Sequence, residues 1–126
     1  LNQKEPVYFS NFGRCLYALG KLEEAAFMYG KAIELDSGRT NRYVSLGQIY
    51  FELKKYEDAL LYFTTAYERD RKNLEYMGYL ADLYDVMGSS EKLGDILEKM
   101  LELDPYNEVL QERKNGLKRV NSTQTS

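Results

Sequence analysis

The chain has no histidine, no tryptophan, one cysteine and two prolines among its 126 residues. Without histidine it lacks the commonest general base, the commonest metal ligand and the side chain that changes charge near neutral pH. That argues against an enzyme. With Cys15 as the sole thiol, it also argues against zinc. One cysteine excludes an internal disulfide and leaves the redox compartment open. Beside Arg14 and Leu16, with no histidine to activate it, Cys15 reads as a structural thiol rather than a nucleophile. No glycine-rich run precedes a Lys-Ser or Lys-Thr pair, so no phosphate-binding loop is present, and no calcium-loop pattern occurs. No cofactor is therefore expected. No apolar run approaches the roughly 20 residues of a membrane helix, and no basic-then-apolar leader opens the chain. The expected location is cytoplasmic, or nuclear in a eukaryote, and not secreted. The sequence opens on Leu1 rather than Met, which leaves open both a whole chain and a fragment of a longer protein.

What is present describes one globular domain. Hydrophobic residues make up 44% and charged residues 29%, with a formal net charge of −3 and a mean hydropathy of −0.56. Nucleic-acid binding calls for a basic stripe. The basic clusters here, Lys54-Lys55, Arg69 to Lys72, Arg113-Lys114 and Lys118-Arg119, are local and read as helix ends, where cations suit the dipole.

A repeat organises the chain. Gly13 to Gly47, Ala25 to Ala59 and Ala32 to Ala66 are each 34 residues apart. The same step leads on to Ala81, Leu93 and Met100, and large residues recur in register as Phe9, Tyr43, Met77 and as Tyr29, Phe63, Leu97. Within a unit the spacing is helical. Phe9, Phe12, Gly13 and Leu16 share one face of a first helix, and Leu22, Ala25, Tyr29 and Ala32 form the matching stripe of a second. Gly20 and Gly88 stand where a first helix ends in a left-handed residue, whereas the second unit has Lys54-Lys55 and must turn without glycine. The spacing predicts helices at about 6–19, 22–35, 40–53, 56–69, 74–87 and 90–103. A seventh starts at Pro105 and covers the last pair with Val109, Leu110, Arg113 and Leu117. Small residues such as Gly13 and Ala25 allow close helix approach, so a leucine at Ala25 or Ala59 overpacks. The third unit carries Leu93 and Met100 in place of alanine. Either its helices sit further apart, or the register slips by one and Gly94 takes the small position.

These residues resemble the tetratricopeptide repeat family. The second unit reads Tyr43, Leu46-Gly47, Tyr50, Ala59, Phe63, Ala66; the first reads Phe9, Phe12-Gly13, Leu16, Ala25, Tyr29, Ala32; the third, weaker, ends in Pro105. The resemblance implies an all-α fold, an antiparallel helix-pair solenoid forming a right-handed superhelix of three 34-residue repeats with a seventh capping helix. A single domain over 1–126 is expected, with repeats at about 6–39, 40–73 and 74–107, the capping helix at about 106–119 and a disordered tail at 121–126. It further implies a non-enzymatic adaptor or co-chaperone-like scaffold that binds a partner peptide or helix in a concave groove lined by the first helices.

Carried over by position, that groove comprises Ser10, Arg14 and Tyr17, then Asn41, Val44, Gln48 and Phe51, then Glu75, Asp82 and Asp85. Repeats that clamp the two carboxylates of a chaperone C-terminus need a cationic set. The matching positions are Ser10, Arg14, Ser45, Glu75 and Tyr79, of which only Arg14 is cationic, so no di-carboxylate clamp is expected. Residues 74–107 carry Lys92 and Lys99 against eight acidic groups, a net −6. A partner segment bearing Lys or Arg is the matching expectation, against the blander reading that the acidic face only solubilises the array. Two alternatives stand beside the adaptor: a structural segment of a longer solenoid in a multi-subunit complex, and a secretion-type chaperone. Self-association through Val7 and Tyr17 is a further expectation.

Overall fold

A computed structural model describes the backbone of residues 4–125 and the side chains of 5–118. Seven helices follow in order: α1 (Lys4–Ala18), α2 (Leu22–Leu35), α3 (Thr40–Glu52), α4 (Tyr56–Arg69), α5 (Leu74–Met87), α6 (Ser90–Leu103) and α7 (Glu108–Thr125). No strand occurs among the described residues. The six repeat helices fall where the 34-residue period places them. The chain divides into two compact units, residues 1–69 and 70–126.

The turn inside each pair has one solution. The Lys21 amide donates to the Leu16 carbonyl at 2.9 Å, Lys55 to Tyr50 at 2.9 Å and Ser89 to Tyr84 at 2.9 Å. Each reaches back over a residue in the left-handed region: Gly20 at φ 78°, Lys54 at φ 62° and Gly88 at φ 74°. This is the wrapped helix end that glycine normally supplies. In the second pair Lys54 adopts it despite its Cβ, at a cost of about 1–2 kcal/mol.

Packing within the first unit rests on small residues against rings. Ala25, Ala32 and Ala59 are fully buried, and Phe63 and Tyr29 lie at 2% and 7% exposure. Leu16, Ala25, Ala26, Tyr29, Leu46 and Ile49 form one cluster in which α2 meets α3. Arg69 closes the second pair by stacking its guanidinium 4.5 Å from the Tyr43 ring centre.

Phe12 departs from the expected packing stripe. Phe9, Gly13 and Leu16 turn inward, but Phe12 is 42% exposed. Its equivalent one repeat on, Leu46, is 1% exposed because α2 covers it. Nothing among the described residues plays that part for Phe12. Its ring stacks on Tyr8 instead, centroids 6.3 Å apart.

In the second unit the register does not slip. Leu93, Leu97 and Met100 of α6 are all buried, as is Ala81 of α5. Gly94 is only half-buried, and a Cβ there would meet the Leu117 Cδ1 of α7 at 3.9 Å. Val109 was expected to cover the last pair but is 66% exposed, while Leu110 is buried. The inward row of α7 is Leu110, Arg113, Lys114 and Leu117, the i, i+3, i+4, i+7 spacing that Val109 lies outside. That helix starts at Glu108 rather than Pro105, capped by the Asn107 side chain, which accepts the Leu110 amide at 3.2 Å. It continues to Thr125, past the expected end near 119 and through most of the expected disordered tail. No proline or glycine interrupts residues 117–125. Ser126 lies outside the described residues.

Candidate functional site: a cationic cavity and the first-helix faces

α1 and α3 each turn a polar and aromatic row away from the packed core. From α1 come Ser10, Arg14 and Tyr17; from α3 come Asn41, Gln48 and Phe51. The Tyr17 hydroxyl donates to Glu52 Oε1, which ties the C-terminal ends of the two helices together. Acceptance by that carboxylate, with some desolvation, raises the Tyr17 pKa above its ordinary value. Burial does the same for Tyr50 and Tyr62, whose rings stack 5.6 Å apart. Phe51 stands edge-on to Tyr56, centroids 5.7 Å apart. Val44 is buried at 8% exposure. It therefore lies on the core side of α3 rather than on the exposed row.

Towards the N-terminal end of α3 the surface opens into a cavity of about 140 Å³. Ser10, Asn11 and Arg14 border it from α1, and Asn41, Arg42 and Ser45 from α3. Arg39 borders it from the α2–α3 connector, and Val7 and Tyr29 supply its apolar edge. Of the groove residues read from the sequence, it thus brings together Ser10, Arg14 and Asn41. The sequence reading missed Arg39 and Arg42. Arg42 is 3% exposed; its Nη1 donates to the Asp36 carbonyl at 3.2 Å and lies 3.4 Å from the Asp36 carboxylate. Arg39 Nε is 3.9 Å from the same carboxylate.

In the second unit Glu75, Asp82 and Asp85 are exposed along α5. Glu75 accepts from the Tyr79 hydroxyl at 2.8 Å. Asp82 faces Arg113 of α7 at 3.4 Å, and Lys114 reaches Glu98 at 3.3 Å. Arg113 and Lys114 in the second turn of α7 therefore answer part of the acidic block. Such exposed pairs contribute little stability. Among the described residues, no cluster of three or more metal-ligating side chains forms, and no helix is long and apolar enough to cross a membrane.

Family models of the tetratricopeptide repeat match residues 8–38 and 41–73. The Arabidopsis thaliana protein CTR9 homolog is 28% identical over 101 residues, covering 77% of this chain and 9% of that protein. The Triticum aestivum Hsp70-Hsp90 organizing protein is 28% identical over 101 residues, covering 80% of this chain and 17% of that protein. The chain therefore spans less than a fifth of the length of either. Among solved structures, the first TPR of Spaghetti (RPAP3), bound to the HSP90 peptide SRMEEVD, superposes with a TM-score of 0.79 at 19% identity, covering 97% of both chains. With two repeats matched, three helix pairs and a seventh helix behind them, this chain belongs to the tetratricopeptide repeat family.

Proposed function

We propose that the chain is a non-enzymatic interaction module that holds a partner peptide or helix against the first-helix faces, as an adaptor or co-chaperone-like scaffold. The observation that carries this reading is the row shared by α1 and α3, with a cavity at one end and the Tyr17–Glu52 bridge at the other. Hydrogen-bonding Asn41 and Gln48 suit an extended backbone, and Phe51 offers an aromatic anchor of the kind that concentrates binding energy. A di-carboxylate clamp is not part of the reading. Glu75 and Tyr79, at two of the five clamp positions, are hydrogen-bonded to each other, and Glu75 has the wrong sign. Within the second unit, the acidic row of α5 by itself suits a Lys- or Arg-bearing segment, mainly through on-rate and orientation. Peptide display on the parent and on a Tyr17→Ala, Phe51→Ala variant, with folding checked by circular dichroism, tests the reading. The expected result is enrichment on the parent that the variant loses. The same peptides on both would overturn it.

A second reading, a segment of a longer solenoid, is favoured by the outer face of α1. Tyr8, Phe12, Cys15 and Leu19 occupy the positions that carry Arg42, Leu46, Ile49 and Leu53 one repeat on. Tyr8 and Phe12 are 64% and 42% exposed where Arg42 and Leu46 are 3% and 1%. The face has the register of an inter-repeat contact. Cys15 lies on it, exposed and alone of its kind, so maleimide labelling reads its cover directly. On this reading Cys15 in the native assembly labels at least about tenfold more slowly than in the isolated chain, as a buried site opens only by local unfolding. Equal rates would overturn it.

A further inference from the structure

The connectors between repeats follow one rule with one exception. After α4, Asp70 is followed three residues later by Asn73; after α6, Asp104 is followed by Asn107. In both, the asparagine amide donates to the aspartate, at 3.3 Å and 3.0 Å, and its oxygen caps the next helix. After α2 the aspartate is Asp36, but the third residue on is Arg39, and α3 starts with no side-chain cap. A cap contributes about 1 kcal/mol. Here that stabilisation is given up, and a guanidinium borders the cavity instead.

Two further arginines meet it there. Arg42 comes from the first turn of α3, in a position that one repeat earlier carries Tyr8 and one repeat later Tyr76. Its guanidinium is almost wholly buried, and both of its protein partners among the described residues lie on Nη1. Arg14 projects from α1, and among the described residues no carboxylate lies within ion-pair distance of it. No acidic side chain is among the described residues bordering the cavity, whereas Asn11, Asn41, Ser10 and Ser45 add neutral donors. Asp36 answers one of the three positive charges, from behind. The remaining excess matches a dianion. A single carboxylate leaves one charge unanswered in a site where one guanidinium is already out of water, a costly arrangement.

We propose that this cavity binds the phosphate monoester of a phosphorylated partner peptide, with Arg14, Arg39 and Arg42 as its ligands. The proposal rests on the peptide-binding reading above and names the chemistry that one end of that surface selects. Planar, many-donor guanidiniums suit phosphate oxygens, and arginine clusters are a general means of recognising phosphorylated segments. The titratable and charged groups bordering the cavity are Arg14 from α1, Tyr29 from α2, Arg39 from the connector and Arg42 from α3, with the Asp36 carboxylate behind Arg39 and Arg42. The chain has no histidine, so a change of affinity across neutral pH belongs to the ligand, whose second ionisation lies near pH 6.

The test uses the 126-residue chain and three fluorescent degenerate peptide libraries with phosphoserine, serine or glutamate fixed at the centre. Fluorescence anisotropy is read at several pH values and against inorganic phosphate. Phosphoserine is expected to bind about tenfold or more tighter than serine or glutamate, to tighten from pH 5.5 to 7.5, and to be displaced by inorganic phosphate. Arg39→Gln and Arg14→Gln, both at exposed positions, each lower that affinity about tenfold, and Arg39→Lys restores part of it. Glutamate equal to phosphoserine, with no pH dependence, would overturn the proposal in favour of a general carboxylate site. Phosphoserine affinity unchanged in Arg39→Gln and Arg14→Gln would overturn the assignment of ligands. Equal binding of all three libraries that disappears in the Tyr17→Ala, Phe51→Ala variant would leave peptide binding standing and remove the anion site. No binding by any library would remove both.

Discussion

Alanine at Gly47 destabilises the fold, and alanine at Gly78 stabilises it. Both glycines lie inside helices, where the change by itself favours alanine by about 0.5–1 kcal/mol. Surroundings reverse the sign at one of them. A Cβ on Gly47 would stand 2.6 Å from Phe63 Cδ1 and Cε1, and Phe63 is 2% exposed, between helices that leave its ring no exit. Overpacking of this kind costs about 1–3 kcal/mol, which outweighs the gain in helix propensity. A Cβ on Gly78 meets nothing within 4 Å. Gly13 is intermediate: its Cβ would lie 3.0 Å from Tyr29 Cδ2 and 3.3 Å from the Ala25 carbonyl oxygen. The expected order of urea midpoints is therefore Gly78→Ala above the parent, then Gly13→Ala, then Gly47→Ala, with Gly47→Ala lower in stability by about 1–2 kcal/mol. A Gly47→Ala midpoint at or above the parent's would mean that α3 and α4 do not approach as closely as Phe63 implies.

That ordering explains why the fold was so legible in the sequence. A glycine locked at a fixed distance from an aromatic ring, as Gly47 is to Phe63 and Gly13 to Tyr29, is a packing constraint written in one dimension. The period repeats it, so the helix pairs and their turns follow. What the period cannot carry is a residue that keeps its place and changes its surroundings. Helical spacing puts Phe12 on the packing stripe with Phe9, Gly13 and Leu16, yet burial depends on whether a neighbouring helix arrives. In the third repeat the leucine at 93 keeps its place in the register and is buried, although it is larger than the alanines at 25 and 59.

The site was legible only in part, for a related reason. Ser10, Arg14 and Asn41 were found because they lie off the apolar stripe of their helices. Arg42 was overlooked because it occupies an inter-repeat position, where the period leads one to expect a ring or an aliphatic chain. Arg39 was overlooked because a connector residue has no helical period to violate. The signal was nonetheless present in the sequence. Comparing connectors with one another, Asp36 to Arg39 against Asp70 to Asn73 and Asp104 to Asn107, exposes the one place where a cap gives way to a charge.

Leu46→Ala and Phe12→Ala separate a repeat position from its environment. The two residues are equivalent in the 34-residue period, and each loses most of a large apolar side chain on truncation. Leu46 is 1% exposed within the cluster of Leu16, Ala25, Ala26, Tyr29 and Ile49. Its truncation leaves a cavity that alanines cannot collapse into, so the expected loss is about 2–5 kcal/mol. Phe12 is 42% exposed and contacts the Tyr8 ring, itself 64% exposed. It has much less apolar area to return to water, and its truncation is expected to cost about 1 kcal/mol or less. Urea unfolding at two protein concentrations measures both. A Phe12→Ala loss as large as that of Leu46→Ala, growing with concentration, would show that the outer face of α1 is covered in solution by a second copy of the chain, since only association makes stability depend on concentration. A small, concentration-independent loss leaves that face open. It is then free to take the helix that α2 provides for α3, and the difference between the two truncations measures how much that helix contributes.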